Sequence, residues 1–371
     1  MTGAVSAAGG DIRSLSVVNT PRRRPAAVAR RLADRLARTP EPDAVRELQR
    51  RVAGLLGKEA ALLLPTGKMA QQIALRVHAD LRRRRAFAGH PTCHLANWEF
   101  EGYSAVHGLR FHALGDRHTL FAGADIEGVP EPLAAVVWEL PQREIGGVLP
   151  DFGALREQIG TARAKGAAVH LDGARLWESA AGYGRSLDEI AALFDSVYVS
   201  LYKTLEVPRG AMLAGDREFV EQAWAWAVRL GGESGGNWPL GALGLMALEE
   251  IVPRTGRHLE HARALAAAIA ATGVAEVVPD PPQTALFHVH LDLPPGPVAA
   301  AHAELVEETG LELFHALRTT DHPRRCFFEL SVGEGAMDIS PTEVAELVTT
   351  MTRRAADRAS AIATAPERTC K

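Results

Sequence analysis

The chain has 371 residues, 47% apolar and 23% charged, with a net charge of −4. This is the composition of a soluble globular protein with a sizeable core and room for two domains. It carries no electrostatic footprint for nucleic acid or an anionic membrane.

Residues 1–47 read as an N-terminal arm. The basic run Arg22-Arg23-Arg24 and the later Arg82-Arg83-Arg84-Arg85 read as solvated charge, the second closing a helix over Met69–Leu81 where cations oppose the helix dipole. Residues 48–245 form the predicted large domain, with apolar runs alternating with helical patterns. "AALLLP" (60–65) precedes "MAQQIALRVHADL", and "AAVVWEL" (134–140) leads through "PQREIGG" into "DFGALREQIGTARAKG". "AAVHLD" (167–172) and "DSVYVSLYK" (195–203) are separated by "SLDEIAALF", and "GAMLAGD" (210–216) enters "REFVEQAWAWAVRL". Strands that barely alternate, separated by helices, predict an α/β layer with a mostly parallel sheet covered on both faces. Residues 246–371 predict a smaller α+β domain, with long helices followed by "ALFHVHLDL", "FFELSVG" and a final helix. "VVPDPPQ" (277–283) and "DLPPGP" (292–297) read as loops. No apolar run reaches the length of a membrane span. Cys93, Cys326 and Cys370 are scattered, which predicts a reducing, cytoplasmic setting and no metal site or disulfide framework.

The chemistry concentrates at strand ends. An apolar run ends at Asp172, with Arg175 three residues on and Lys203, 31 residues beyond Asp172, at the end of the next apolar run. Buried charges are costly unless paired or bound to something. A local ion pair is the plain reading; a cofactor site is the sharper one. In open α/β sheets the carboxyl edge is where ligands bind, and a partly desolvated lysine becomes a nucleophile able to form Schiff bases. Pyridoxal phosphate chemistry calls for this set: a lysine for the aldehyde, an aspartate for the ring nitrogen, and an arginine for a substrate carboxylate. The turn at Thr66, Gly67 and Lys68 offers a helix N-terminus for the phosphate. A nucleotide P-loop is excluded there, because Leu62 and Met69 stand where it needs Gly and Ser or Thr. His94, with Glu99 close by in sequence, is the candidate to stack on the ring, although a lone histidine among 14 is more often structural.

Four segments, "LLLPTGKMAQQIAL", "HLANWEFEG", "HLDGARLWESA" and "VYVSLYKTLEVPRGAMLAGDREFVEQA", resemble the low-specificity threonine aldolase and β-eliminating lyase family of fold-type I pyridoxal phosphate enzymes. The resemblance implies Lys203 as the Schiff-base lysine and Asp172 as the partner of the pyridinium. It implies Arg175 on the substrate carboxylate, His94 on the ring and at the β-hydroxyl, and Thr66, Gly67 and Lys68 at the phosphate. Glu99 would lie beside the reacting group. It also implies a homo-oligomer, dimer or tetramer, acting on a small amino acid.

The departures are specific. The stretch after the lysine reads "KTLE", the glycine-rich segment reads "GGESGGNWP" (231–239), and Glu329 stands where the family has an arginine. Three accounts of Glu329 are open: a shifted alignment with Arg324 or Arg325 in the role, a structural pair with one of those arginines, or a changed substrate. The changed substrate is the expectation adopted. The expected activity is Cα–Cβ cleavage of a β-hydroxy amino acid to glycine and an aldehyde. The competitors are β-elimination to a keto acid and ammonia, an aminotransferase, and a fold that has lost catalysis.

Overall fold

The structure, a computed structural model, describes residues 13–15, 25–38, 43–232 and 236–364. It divides into two compact units, Arg23–Gly256, and Arg257–Lys371 with Met1–Arg22.

The larger unit is built on seven strands: β1 Ala60–Leu64, β2 Ala86–Gly89, β3 Arg110–Ala113, β4 Leu133–Glu139, β5 Ala168–Gly173, β6 Ser196–Ser200 and β7 Ala211–Gly215. Their order is β1-β7-β6-β5-β4-β2-β3. Only β7 runs against its neighbours. Buried Val, Ala, Leu and Trp fill both faces of β4 and β5, as a sheet covered on two sides requires. One face packs Val136, Val169 and Val197 with Trp138, Trp177 and Phe194. The other carries helix α3 (Gly67–Arg82), whose Ile73, Ala74 and Val77 meet Tyr198 and Leu213. Strands β2 and β3 were not read from the sequence, being only four residues each.

The chain leaves β1 for β2 on the far side of the sheet, and later strands fill the gap. The carboxyl ends of β1, β4, β5 and β6 therefore open on one edge, where the order of strands reverses.

The expected arm and boundaries differ from the observed units. Helices α1 (Pro25–Arg38) and α2 (Ala44–Leu55) belong to the large unit. They pack with helix α8 (Trp238–Glu250), where Arg35 pairs with Glu249 at 2.9 Å and Arg31 pairs with Glu250. The division falls at Gly256, beyond the expected 245, because α8 lies on α2: a Cβ at Gly241 would meet the backbone of Ala44 at 2.7 Å. Arg22, Arg23 and Arg24 lie outside the described residues. The second basic run is only partly solvated, since Arg84 donates to the carbonyls of Leu133 and Gly166, both at 2.8 Å.

The smaller unit has a four-stranded antiparallel sheet, formed by β8 (Glu276–Val278), β9 (Leu286–Leu291), β10 (Leu317–Thr319) and β11 (Cys326–Ser331), in the order β10-β11-β9-β8. Phe287, Val289, Phe328 and Leu330 are in its core. "DLPPGP" is not wholly a loop: a helix starts at Pro295, where proline's fixed φ suits a first turn. Arg13–Ser14 pairs in parallel with Leu311–Glu312. Among the described residues no helix is long and apolar enough to cross a membrane, and no His, Cys, Asp and Glu group could hold a metal.

Candidate active site

The residues expected at the cofactor lie in the larger unit, at strand ends, loops and helix ends of the carboxyl edge, whereas Glu329, Arg324 and Arg325 belong to the smaller unit. Asp172 is the fifth residue of β5 and is paired in register with Glu139 on β4 and Tyr198 on β6. It is buried. Its Oδ1 accepts the N–H of Ala174 at 3.0 Å, and no described residue donates to the other oxygen.

Lys203 does not sit on the strand as expected. Strand β6 ends at Ser200, and Lys203 follows in a turn held by the Glu206 N–H to the Lys203 carbonyl at 2.9 Å. The lysine is half-buried. Desolvation, and next the charge of Arg175, push its pKa down to about 8. Such an amine is available as a nucleophile near neutrality.

Arg175 caps helix α6 (Leu176–Tyr183) and is buried beside Glu178, with Nε 3.9 Å from Oε1. Thr204, next to the lysine, donates to the same oxygen of Glu178 at 2.6 Å. The lysine turn and the arginine are thus tied to one carboxylate, which the sequence reading did not include.

Thr66 caps α3, its hydroxyl accepting the Met69 N–H at 3.2 Å. No described residue accepts from the N–H groups of Gly67 or Lys68, which face outward from the positive end of a helix dipole. The side chain of Lys68 is exposed. Gly67 is dictated by space: a Cβ there would fall 2.0 Å from the Tyr198 hydroxyl. That hydroxyl lies 3.3 Å from the hydroxyl of Tyr202.

His94 opens the short helix α4 (His94–Asn97). Its Nδ1 is 3.0 Å from Oε1 of Glu99, whose side chain is fully enclosed; Oε2 of Glu99 accepts from Gln72 of α3 at 3.0 Å. A carboxylate can only accept, so Nδ1 carries the proton and Nε2 is left as a base. Glu99 is therefore placed behind His94 as its orienting partner.

Besides Glu178, two further residues of this edge escaped the sequence reading. Glu139 ends β4, where burial first and then Asp172 push its pKa up to about 7. Arg143 stands in the following 3₁₀ turn (Arg143–Ile145), and its charge is among those lowering the pKa of Lys203. The signal was present: "AAVVWEL" is, like "AAVHLD", a buried run that meets a carboxylate at its end.

The set fits pyridoxal phosphate by its donors and acceptors. A desolvated amine suits the aldehyde, a buried carboxylate with one oxygen to spare suits a protonated ring nitrogen, and two unused helix N–H groups suit a phosphate.

Comparison with known proteins points the same way. Residues 33–292 match the family model described as beta-eliminating lyase. The chain is 29% identical over 232 residues to Low-specificity L-threonine aldolase 1 of Arabidopsis thaliana, a match covering 60% of this chain and 64% of that protein. It is 32% identical over 225 residues to Low specificity L-threonine aldolase of Escherichia coli K12, covering 57% and 64%. The matched part thus spans a little under two thirds of these curated relatives. A crystal structure from Listeria monocytogenes EGD-E, provisionally assigned as an L-allo-threonine aldolase, superposes with a TM-score of 0.83 at 32% identity, over 94% of this chain and 96% of that one.

Proposed function

The chain belongs to the β-eliminating lyase family and has the fold-type I architecture expected from its sequence; from that premise we propose that it is a pyridoxal-phosphate-dependent lyase that cleaves β-hydroxy amino acids at Cα–Cβ. One observation carries the reading. At a single sheet edge, a desolvated lysine and a buried aspartate stand with a histidine whose Nδ1 is fixed by an enclosed carboxylate.

When bound, pyridoxal phosphate supplies the sink for the electron pair released as Cα–Cβ breaks. Lys203 would hold the group by its aldehyde, and Asp172 would keep its ring nitrogen protonated. The N–H groups of Gly67 and Lys68, with the capped end of α3, hold the phosphate. Arg175 takes the substrate carboxylate with both guanidinium arms, steadied from behind by Glu178. His94 would face the ring, its Nε2 would take the β-hydroxyl proton as Cα–Cβ breaks and the aldehyde leaves, and Glu99 would stabilise the resulting imidazolium. A proton taken from water would then complete glycine at Cα.

We also assign a small amino-acid substrate, a reducing cytoplasmic setting and a homo-oligomer. Cys93 and Cys326 are buried and unpaired, which supports the second. Exposed Trp98, Phe100, Trp224 and Trp238 on the large unit support the third. The departures at Lys203's turn and in the glycine-rich segment support a specificity other than plain threonine.

Product analysis across a panel of β-hydroxy and β-substituted amino acids tests the reading. Glycine with an aldehyde upholds it. Keto acid with ammonia as the main products replaces it with β-elimination, and dependence on an added keto acid replaces it with transamination.

A further inference from the structure

Two carboxylates stand side by side at the candidate site, and only one has been given a task. Glu139 and Asp172 are directly paired across β4 and β5. Like charges so close are costly, so each needs donors to hold it or a proton to neutralise it.

The hydrogen bonds of Glu139 are unusual for a strand-end carboxylate. Its Oε2 accepts the backbone N–H of His94 at 3.1 Å, and its Oε1 accepts the backbone N–H of Arg143 at 3.3 Å. Cys93, the N-cap residue of α4, supplies no side-chain cap to that helix. Glu139 reaches over from another element and anchors the His94 N–H instead. One carboxylate therefore pins both the helix that carries the histidine and the turn that carries Arg143 to the end of β4.

We propose that Glu139 is a positioning residue, whose ionised carboxylate fixes the backbone of His94 and of the Arg143 turn over the cofactor edge. This deepens the proposed function and rests on its placement of His94 against the cofactor.

The same carboxylate is a built-in source of pH dependence. The groups facing it are Asp172 on β5, His94 on α4, Lys203 after β6 and Glu144 in the 3₁₀ turn. Burial and Asp172 disfavour its charge; His94 and Lys203 favour it, and the balance brings its pKa to about 7. Ionised, it accepts from both backbone N–H groups. Protonated, it loses its charge and one oxygen becomes a poorer acceptor, so that contact is weakened. The grip on His94 is thus firm above neutrality and loosens as the pH falls through about 7.

The test measures the dissociation constant of pyridoxal phosphate by absorbance, between pH 5.5 and 8.5, for the wild-type protein, Glu139→Gln, His94→Ala and the double variant. An amide keeps one acceptor but opposes the second N–H with its own, so Glu139→Gln mimics the protonated state. We expect about tenfold weaker cofactor binding at pH 8, the size of one hydrogen bond to a charged group. The wild-type profile should fall on the acid side of neutrality relative to Glu139→Gln, with the difference between them vanishing at low pH. Because Glu139 acts through His94, adding Glu139→Gln to His94→Ala should cost little more. A profile for folded Glu139→Gln parallel to the wild type, or full additivity with His94→Ala, overturns the inference and leaves the proposed function standing. Wild-type protein that binds no cofactor overturns both. Should Glu139→Gln not fold, Glu139→Asp keeps the charge but withdraws it by one methylene. It should bind cofactor more weakly while keeping the pH response, and binding equal to wild type refutes the positioning role.

Discussion

Replacing Lys203 with Met separates what the lysine does for chemistry from what it costs the fold. Its pKa is pushed from 10.5 to about 8, mainly by desolvation. That displacement corresponds to on the order of 3 kcal/mol by which the ammonium is disfavoured in the folded chain. The folded value lies below the unfolded one, so between the two the unfolded chain binds more protons and stability rises with pH. The penalty is complete below pH 8 and gone above 10.5. Methionine fills nearly the same volume without a charge to desolvate. Lys203 is only half-buried, and solvent screening takes back part of the gain. We expect cofactor-free Lys203→Met to be more stable than wild type by about 1–2 kcal/mol at pH 7 and by nothing near pH 10.5. In a chain of 371 residues that is a rise of roughly 1–3 °C in Tm. The variant should bind no cofactor covalently and turn over no substrate. In the wild type, borohydride should fix the pyridoxyl group to the peptide containing Lys203. A label on Lys68 or any other lysine, or a Tm at pH 7 lower than wild type, refutes the reasoning.

Asp172→Asn should keep the fold and lose the ring-nitrogen proton, lowering kcat by a factor of roughly a thousand, or about 4 kcal/mol in barrier; normal turnover would make Asp172 a structural cap. Gly67→Ala should drive the start of α3 away from Tyr198, whose hydroxyl lies 2.0 Å from the new Cβ position. Pyridoxal phosphate affinity should drop by about tenfold or more and recover in part when Tyr198→Phe is added; an unchanged affinity would move the phosphate elsewhere. His170 is buried and bonded to Ser196 at 2.7 Å and Gln71 at 2.7 Å, and burial pushes its pKa down to about 3. Below the ordinary value of 6.5 the unfolded chain takes up a proton that the folded chain refuses. Wild type should therefore lose about 2 kcal/mol from this group between pH 7 and 5, a loss that His170→Gln abolishes. Denaturant midpoints at the two pH values check it, and equal losses in both proteins contradict it.

The cluster of charges at the carboxyl edge was legible because its rule is local: a buried apolar run that stops at a charged residue demands a partner. Asp172 obeyed it, and the length of the following segment brought Lys203 to the neighbouring strand end. The same rule covered Glu139, but "PQREIGG" read as a turn and drew attention from the residue before it. Partners far apart in sequence were out of reach. Nothing in the spacing tells that Gln72 would meet Glu99, or that Thr204 would meet Glu178, since each contact joins separate elements. The unit boundary was misplaced for a related reason. Helix α8 follows the sheet in the chain and looks like the start of something new, yet Gly241 and Gly244 lie flat on Ala44 and Leu48 of α2. Close packing decided membership, and close packing has no signature at the level of periodicity. Strand-end geometry was also overextended: β6 stops three residues before Lys203, and Glu206, in the left-handed region at φ +53°, bends the chain back. A glycine there would have announced the turn; a glutamate hides it.

Glu329 shows the opposite error, in which too much was read from one position. Along β11, Phe327, Glu329 and Ser331 share one face, while Phe328 and Leu330 enter the core. Opposite Glu329 stands His288 of β9, buried, with its Nε2 3.9 Å from Oε2 of the glutamate. Phe327 lies flat on His290, 4.9 Å between ring centroids, and Arg318 crosses its other neighbour position in the register. The carboxylate is thus part of a cross-strand arrangement of acid, imidazole and aromatic ring. Arg325, the candidate for a shifted role, is engaged with Glu276 and Asp292. Of the three accounts, a local pair is the one that this geometry carries, with His288 as the partner in place of either arginine. An arginine at 329 would set a cation against the imidazole of His288, so the two positions form a unit and neither is informative alone. The missing arginine is therefore no evidence by itself for a changed substrate. Under the proposed function, the guanidinium for the substrate carboxylate is then sought on the large unit, where Arg175 stands buried beside Glu178, which also holds Thr204 of the lysine turn.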